Sequence, residues 1–149
     1  MLVGIADIIV RATDGRIVAT VHVKNLPSLG PDAAVALKDL RLESGLVLTT
    51  AHFLLVSQEH GYLWLPGHAE TGKRPDVMFP MAPVVRRTFP RLRPRERLYA
   101  TVLEMVVADW LRDLAIGNVS LRANPERKLV KAGFVRDIQN AFVETESRP

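Results

Sequence analysis

The chain has 149 residues, of which 48% are apolar and 24% charged, with a formal net charge of +4. These proportions are typical of a single folded domain and exclude wholesale disorder, a collagen-like repeat and a coiled-coil rod. There is no cysteine, which excludes disulfides, thiolate zinc sites and a cysteine nucleophile. No apolar run approaches the ~20 residues that span a bilayer, and the N-terminus has no basic leader, so we expect a cytoplasmic protein with no membrane partner.

The first half of the chain predicts a hairpin, a helix and two further strands. Two runs rich in β-branched residues, 3–12 and 17–23, flank Asp14-Gly15, a pair that favours a two-residue hairpin turn. Pro31 is typical of the first position of a helix, which we expect over 32–43. Strands are predicted over 52–57 and 62–65.

The second half predicts a connector followed by helices. The segment 66–93 is rich in proline, which disfavours a continuous helix or a central strand, so we expect an irregular connector there. Apolar residues at helical spacing predict a long helix over 95–116, and a shorter one follows over 125–131. The segment 141–146 is predicted to be an edge strand. Together these elements indicate one α+β domain over 1–149, with a central mixed sheet flanked by helices.

The hairpin register brings three ionisable side chains together. With a two-residue loop at 14–15, Asp7 lies opposite His22, with Cβ atoms ~4.5–5.5 Å apart. Lys24 lies two residues further along the same face of the strand. The other face pairs only apolar residues, from Ala12 with Ile17 down to Ala6 with Val23, and is the predicted core side. Asp7 and His22 are equally compatible with an ordinary cross-strand pair on a solvated face.

The residues of this hairpin resemble the core of the PD-(D/E)XK nucleases. Gly4-Ile5-Ala6-Asp7 is similar to the Gly-x-x-Asp form of RecB-like members, and His22-Val23-Lys24 occupies the place of the (D/E)-x-K motif. More narrowly, the order of short motifs along the chain resembles that of small uncharacterised bacterial proteins carrying this core. Those motifs are 21–24, 53–56, 62–64, the helix through Trp110-Leu111, and Gly133-Phe134.

This resemblance implies metal-dependent cleavage of DNA phosphodiesters by water, with Mg²⁺ or Mn²⁺ as cofactor. Asp7 matches the first metal-binding acid and Lys24 matches the lysine that assists the attacking water. His22 stands where the second acid belongs, and imidazole suits Mn²⁺ better than Mg²⁺. Asp39 or Glu43 on the following helix is the candidate replacement acid. The expected catalytic residues are therefore Asp7, His22 and Lys24, and the expected metal ligands are Asp7, His22, Asp39 and Glu43.

The sequence departs from the family at its start as well. Family members begin with a helix and a strand before the Gly-x-x-Asp strand, and these are missing here, so the core is expected to be incomplete at its N-terminus. Either the final strand, 141–146, or a partner subunit, as in a homodimer, would cover the sheet edge left open.

The basic residues are concentrated in one segment. Eight basic residues and two acidic ones lie between Lys73 and Arg97. Arginine binds phosphate in a bidentate manner, so this segment is a candidate contact for DNA. A solvated, proline-rich connector is the alternative interpretation. The candidate nucleic-acid-binding residues are Arg86, Arg87, Arg91, Arg93 and Arg95.

Three functions follow from these observations. The first is a nuclease-like protein that cleaves DNA in a metal-dependent reaction. The second is a non-catalytic binding or assembly module of the same fold, which the absent second acid favours. The third is a small α+β structural protein that has no contact with nucleic acid.

Overall fold

A computed structural model describes residues 6–27 and 29–146 of the chain. It is an α+β structure built on one six-stranded mixed sheet with strand order β5-β4-β3-β2-β1-β6. The strands are β1 Ile8–Arg11, β2 Ile17–Val23, β3 His52–Val56, β4 His60–Trp64, β5 Val77–Pro80 and β6 Phe142–Thr145. The helices are α1 Pro31–Glu43, α2 Ala82–Thr88, α3 Ala100–Ile116, α4 Glu126–Lys131 and α5 Phe134–Asp137. The predicted α+β class, with a mixed sheet flanked by helices, is confirmed.

The hairpin of β1 and β2 has the predicted register over most of its length. Ile8 pairs with Val21 and Val10 with Ala19, as expected. The turn is different, because Ala12 N donates to Arg16 O at 2.8 Å and Gly15 adopts a φ of 91°. The loop therefore has three residues rather than two.

A bulge in β2 follows from this longer turn. The register shifts next to Val10, so that Arg11 pairs with Ile17 and Val18 is left without a partner residue on β1. Val18 joins the main core, whereas the two-residue turn assigned it to the opposite face. The bulge lies at the turn end of the hairpin, so the register near Asp7 is unchanged. The predicted first strand also included 3–5, which lie outside the described residues.

The two faces of the sheet support two apolar cores of unequal size. Helix α1 connects β2 to β3, which run parallel, whereas every other neighbouring pair is antiparallel. A smaller core beside α1 contains Phe53, Tyr62 and Trp64. The larger core packs β1 and β2 against α2 to α5, with Trp110 and Leu111 of α3 among its buried residues.

The C-terminal strand covers the edge of β1. Strand β6 runs antiparallel to β1, and Glu146 N donates to Asp7 O at 3.0 Å just beyond the paired residues. Of the two expectations for this edge, the one that the final strand covers it is confirmed.

The proline-rich segment 66–93 is more regular than its composition predicts. It contains β5 and α2. Pro80 is the last residue of β5, an edge strand, where a missing N–H is tolerated. Pro83 lies in the first turn of α2, where the N–H has no helical acceptor. These prolines mark the ends of elements, and the expectation of an irregular connector over the whole range was wrong.

Helix α3 begins five residues later than predicted. The segment 96–98 has no regular secondary structure, and side chains of distant residues bond to its backbone. Gln58 Nε2 donates to Glu96 O at 2.8 Å, and Leu98 N donates to Gln58 Oε1 at 3.0 Å. Asn25 Nδ2 also donates to Leu98 O. These contacts take the backbone groups that a first helical turn would use.

Candidate functional site

The hairpin positions Asp7 against β2, as the sequence predicts. Asp7 N donates to Val21 O at 3.1 Å, and Asp7 Oδ2 accepts a hydrogen bond from Val23 N at 2.7 Å. Lys24 extends the pairing on the other side of β2, where its N–H donates to Val56 O at 2.8 Å. The carboxylate of Asp7 thus has a structural role, because it holds the end of β1 against β2. The expected contribution of Gly4 and Ile5 lies outside the described residues.

His22 is buried between these two residues, and its surroundings keep it neutral. Its side chain is 2% exposed and its ring stacks on Phe53 with centroids 4.8 Å apart. Burial, together with the nearby charges of Arg41 and Lys24, lowers the pKa of His22 to about 4, although Asp7 acts to raise it. His22 Nε2 has no hydrogen-bond partner among the described residues. A neutral, buried imidazole is therefore the ordinary state at neutral pH.

Helix α1 contributes a cation to this site rather than an acid. Arg41 is the α1 residue whose charge acts on His22. Asp39 accepts a hydrogen bond from the Lys38 side chain. Its Oδ2 also accepts one from Gly72 N at 3.1 Å. Burial acts to raise the pKa of Asp39, but these hydrogen bonds outweigh it and hold that pKa below its usual value. Glu43 is exposed at the end of α1. The structure thus brings Asp7, His22 and Lys24 together, with Asp39 engaged elsewhere.

These donors do not fit Mg²⁺. The site offers one carboxylate, already bonded to a backbone N–H, and one imidazole, with Arg41 and Lys24 adding positive charge. Mg²⁺ requires several hard oxygen ligands in octahedral geometry. Within the described ranges there is no cluster of three or more His, Cys, Asp or Glu side chains that could hold a metal ion.

The five candidate nucleic-acid-binding arginines separate into two groups. Arg87 donates to both carboxylate oxygens of Glu126, at 2.7 and 3.0 Å, and Glu126 is fully buried and also accepts a hydrogen bond from Trp110 Nε1 at 2.8 Å. Arg87 therefore connects α2 to α4 in the fold. The other four are exposed and have no ion pair with any described residue. We call these four the arginine surface: Arg86, Arg91, Arg93 and Arg95.

A network of polar side chains beneath the arginine surface was not found by sequence reasoning. Arg97 donates to Glu59 and, at 2.7 Å, to Asn25 Oδ1. Together with Gln58, these residues connect the C-terminal ends of β2 and β3 to the segment before α3. Their separations in sequence exceed 30 residues. No local pattern could have indicated the network.

Two cavities lie along the arginine surface. One, of about 120 Å³, separates α2 from residues 92–94 and is lined by Arg86 and Arg93. The other, of about 500 Å³, is lined by Arg91, Leu92 and Glu96. Leu92 lines both, so the two cavities are adjacent. Arg86, Arg91 and Arg93 therefore border concave parts of the protein surface, whereas Arg95 lines neither of these two cavities.

The fold and site together define an α+β protein with a group of exposed arginines beside two adjacent cavities. No protein-family model, curated protein or solved structure matches this chain. Within the residues that the structure describes, no helix combines the length and apolar character needed to cross a bilayer.

Proposed function

We propose that this chain is a nuclease-like domain, related to the PD-(D/E)XK core, that binds DNA without cleaving it. The observation that carries the proposal is the arginine surface, four exposed guanidinium groups with no acidic partner among the described residues. Arginine forms charge-assisted, bidentate hydrogen bonds with phosphate oxygens.

The relation to the nuclease core rests on topology. A hairpin carrying Asp7 and Lys24 is followed by a helix and a strand that runs parallel to β2. Strand β6 lies beside β1, on the side away from β2. The chemistry of the hairpin site supports the non-catalytic form, because the α1 residue acting on His22 is the cation Arg41, while Asp39 is bonded to Gly72.

Binding to a fluorescent DNA duplex, measured by anisotropy over a series of salt concentrations, tests this proposal. Each phosphate contact contributes roughly −0.9 to the slope of log K against log[salt], so four arginines predict a slope of roughly −3 to −4. We expect Arg91→Ala and Arg95→Ala each to reduce the slope by about one. Arg16→Ala at the hairpin turn is the matched control and leaves the slope unchanged. Salt-independent binding, or no binding at low salt, would contradict the proposal.

Metal-dependent cleavage is the second candidate function, which the juxtaposition of Asp7, His22 and Lys24 favours. Supercoiled and single-stranded DNA incubated with Mg²⁺ or Mn²⁺ test it. Cleavage that both Asp7→Ala and Lys24→Ala abolish would establish the nuclease and exclude the non-catalytic module. We expect no cleavage in either metal.

A further inference from the structure

The larger of the two cavities beside the arginine surface has mostly apolar walls. Its volume is about 500 Å³, and four apolar residues line it: Phe89, Pro90, Leu92 and Leu98. Three of these side chains are only partly buried, and they pack against the large core from its outer side. The cavity therefore exposes apolar surface among charged residues. We call it the apolar pocket.

The ionised residues that line the apolar pocket are one cation and one anion. Arg91 and Glu96 are both exposed at its walls. Their formal charges cancel, so the pocket itself has no excess charge to attract a lone phosphate. The excess positive charge lies beside it, on Arg93 and Arg95. An apolar pocket bordered by cations suits a ligand that joins an apolar ring to an anion, as each nucleotide of a DNA strand does.

An exposed aromatic ring lies next to this pocket in the chain. Tyr99 directly follows the pocket residue Leu98, and it is 83% exposed. Its backbone is held at the start of α3, because Leu103 N donates to Tyr99 O at 3.0 Å. Among the described residues the Tyr99 ring contacts no other aromatic ring. Exposed aromatic rings on a basic surface are typical platforms on which unpaired bases stack.

The backbone around the apolar pocket is held in place before any ligand binds. Leu92 N donates to Phe89 O at 3.1 Å, which closes a turn at one wall. At the other wall, Gln58 donates to Glu96 O at 2.8 Å and accepts from Leu98 N at 3.0 Å. A preformed pocket loses less conformational entropy on binding.

These features distinguish an unpaired DNA strand from a duplex. In a duplex the faces of the bases are covered by their neighbours, and mainly the phosphates and the groove edges are accessible. The exposed arginines can contact the phosphates of either form. An apolar pocket and an exposed ring gain contacts only from bases whose faces are free, which a single strand provides.

We propose that this surface binds single-stranded DNA, with one unpaired base in the apolar pocket and a neighbouring base stacked on Tyr99. Arg91 and Arg95 contact the phosphates of the same strand. This inference rests on the proposed function, because it names the form of DNA that the arginine surface selects.

The test compares three fluorescent DNA probes by anisotropy at about 0.15 M salt, where attraction to distant phosphates is screened. They are a single strand, the same strand paired with its complement, and an abasic strand of equal length. The abasic strand keeps every phosphate and lacks the bases. We expect the intact single strand to bind about tenfold more tightly than the abasic strand, the effect of one or two stacked bases, and more tightly than the duplex.

Substitutions separate contacts to bases from contacts to phosphates. Tyr99→Ser reduces the preference for the intact over the abasic strand several-fold, whereas Tyr99→Phe keeps the ring and retains it. Arg91→Ala weakens both strands equally, so the preference is unchanged. Phe142→Ser is the matched control, since Phe142 is an exposed aromatic residue of β6 that lines neither cavity.

A polar residue in the pocket wall tests the pocket itself. We expect Leu92→Asn to reduce the preference for the intact strand, and thermal denaturation verifies that the variant is folded. A folded Leu92→Asn variant with the parent's preference overturns the assignment of a base to the pocket. A preference that survives Tyr99→Ser overturns the stacking assignment.

The outcomes separate this inference from the proposed function. Equal affinity for all three probes, with the salt slope intact, overturns the recognition of unpaired bases and leaves DNA binding in place. Tighter binding of the duplex than of the intact strand has the same consequence. No affinity for any probe, even at low salt, overturns both proposals.

Discussion

At the scale of single residues, burial changes the ionisation of His22. Its pKa of about 4 lies well below the usual 6.5, so the unfolded chain binds a proton more readily than the folded chain does. Stability therefore falls as the pH drops below about 6.5, and the loss is complete near the folded pKa. Over the pH range between the unfolded and the folded pKa of His22, this side chain lowers the free energy of unfolding by about 3 kcal/mol.

Replacing His22 by phenylalanine removes the contribution of this side chain to the pH dependence of the unfolding free energy. We expect His22→Phe to narrow the difference in unfolding free energy between pH 7 and pH 4.5, because the ring continues to pack on Phe53 and no longer has to be deprotonated. Urea denaturation at both pH values measures the difference. A parent and variant with the same pH dependence would contradict the assignment of a buried, neutral imidazole.

Arg87 and Arg86 are adjacent in sequence but differ in their surroundings, since Arg87 forms an ion pair with Glu126 and Arg86 is exposed. Burial acts to raise the pKa of Glu126, but the hydrogen bonds from Arg87 and Trp110 outweigh it and keep that pKa low. Arg87→Ala leaves a buried carboxylate without its cation, which we expect to destabilise the fold by about 3–5 kcal/mol at pH 7.

The loss of folding stability caused by Arg87→Ala decreases towards acidic pH. Without Arg87 the pKa of Glu126 rises above its usual value, so protonation in the folded state restores stability relative to the parent. Thermal denaturation at pH 7 and pH 4.5 checks the sign. Arg86→Ala, at the exposed neighbouring position, is the control and changes stability by less than about 0.5 kcal/mol. Equal effects of the two substitutions would be inconsistent with the ion pair.

At the scale of elements, strands β4 and β5 are in close contact through a glycine. Gly61 pairs with Phe79 across the two strands, and a Cβ at Gly61 would lie 2.1 Å from Phe79 Cε2. Glycine is required here because the phenyl ring lies directly over its Cα. The arrangement allows Phe79, on an edge strand, to reach the larger core.

Gly61→Ala tests this contact. The added methyl group must displace the Phe79 ring, so we expect a loss of about 1–3 kcal/mol in the free energy of unfolding. Phe79→Leu in the same chain provides space and recovers part of the loss, whereas Phe79→Leu alone destabilises the parent. A double-mutant cycle by chemical denaturation measures the coupling. Additive effects of the two substitutions would show that the ring is not the obstacle.

At the scale of the whole molecule, β6 completes the sheet that the hairpin begins. It follows β1 by more than 130 residues and pairs with it along four positions. Arg112 of α3 donates to Val143 O at 3.3 Å, which anchors the strand to the large core. An open β1 edge would present unpaired backbone groups to other chains.

Removing residues 141–149 uncovers this edge. We expect the shortened chain to be less stable and to self-associate as its concentration rises, because β1 then offers unpaired N–H and C=O groups. Sedimentation velocity of the shortened and full chains at matched concentrations compares their masses. Identical masses and identical unfolding midpoints would mean that β6 contributes nothing to the sheet.

Much of the local structure was determined by the sequence alone. The run of β-branched residues after the Asp-Gly pair predicted β2 with its observed bounds, and Pro31 correctly marked the start of α1. The Asp-Gly pair predicted the hairpin, and with it the neighbouring positions of Asp7 and His22. These features follow from backbone conformations and side-chain periods that act over a few residues, so a short window of sequence contains the necessary information.

The tertiary structure alone decided the chemistry of the site. Arg41 is the α1 residue whose charge acts on His22, while Asp39 accepts a hydrogen bond from Gly72 in a distant turn. Arg87 pairs with a buried acid 39 residues away, while Arg86 lines the cavity of about 120 Å³ beside α2. Such contacts join residues that no local pattern relates. Which partner a charged side chain takes depends on burial and on the packing of whole elements, and these exist only once the chain has folded.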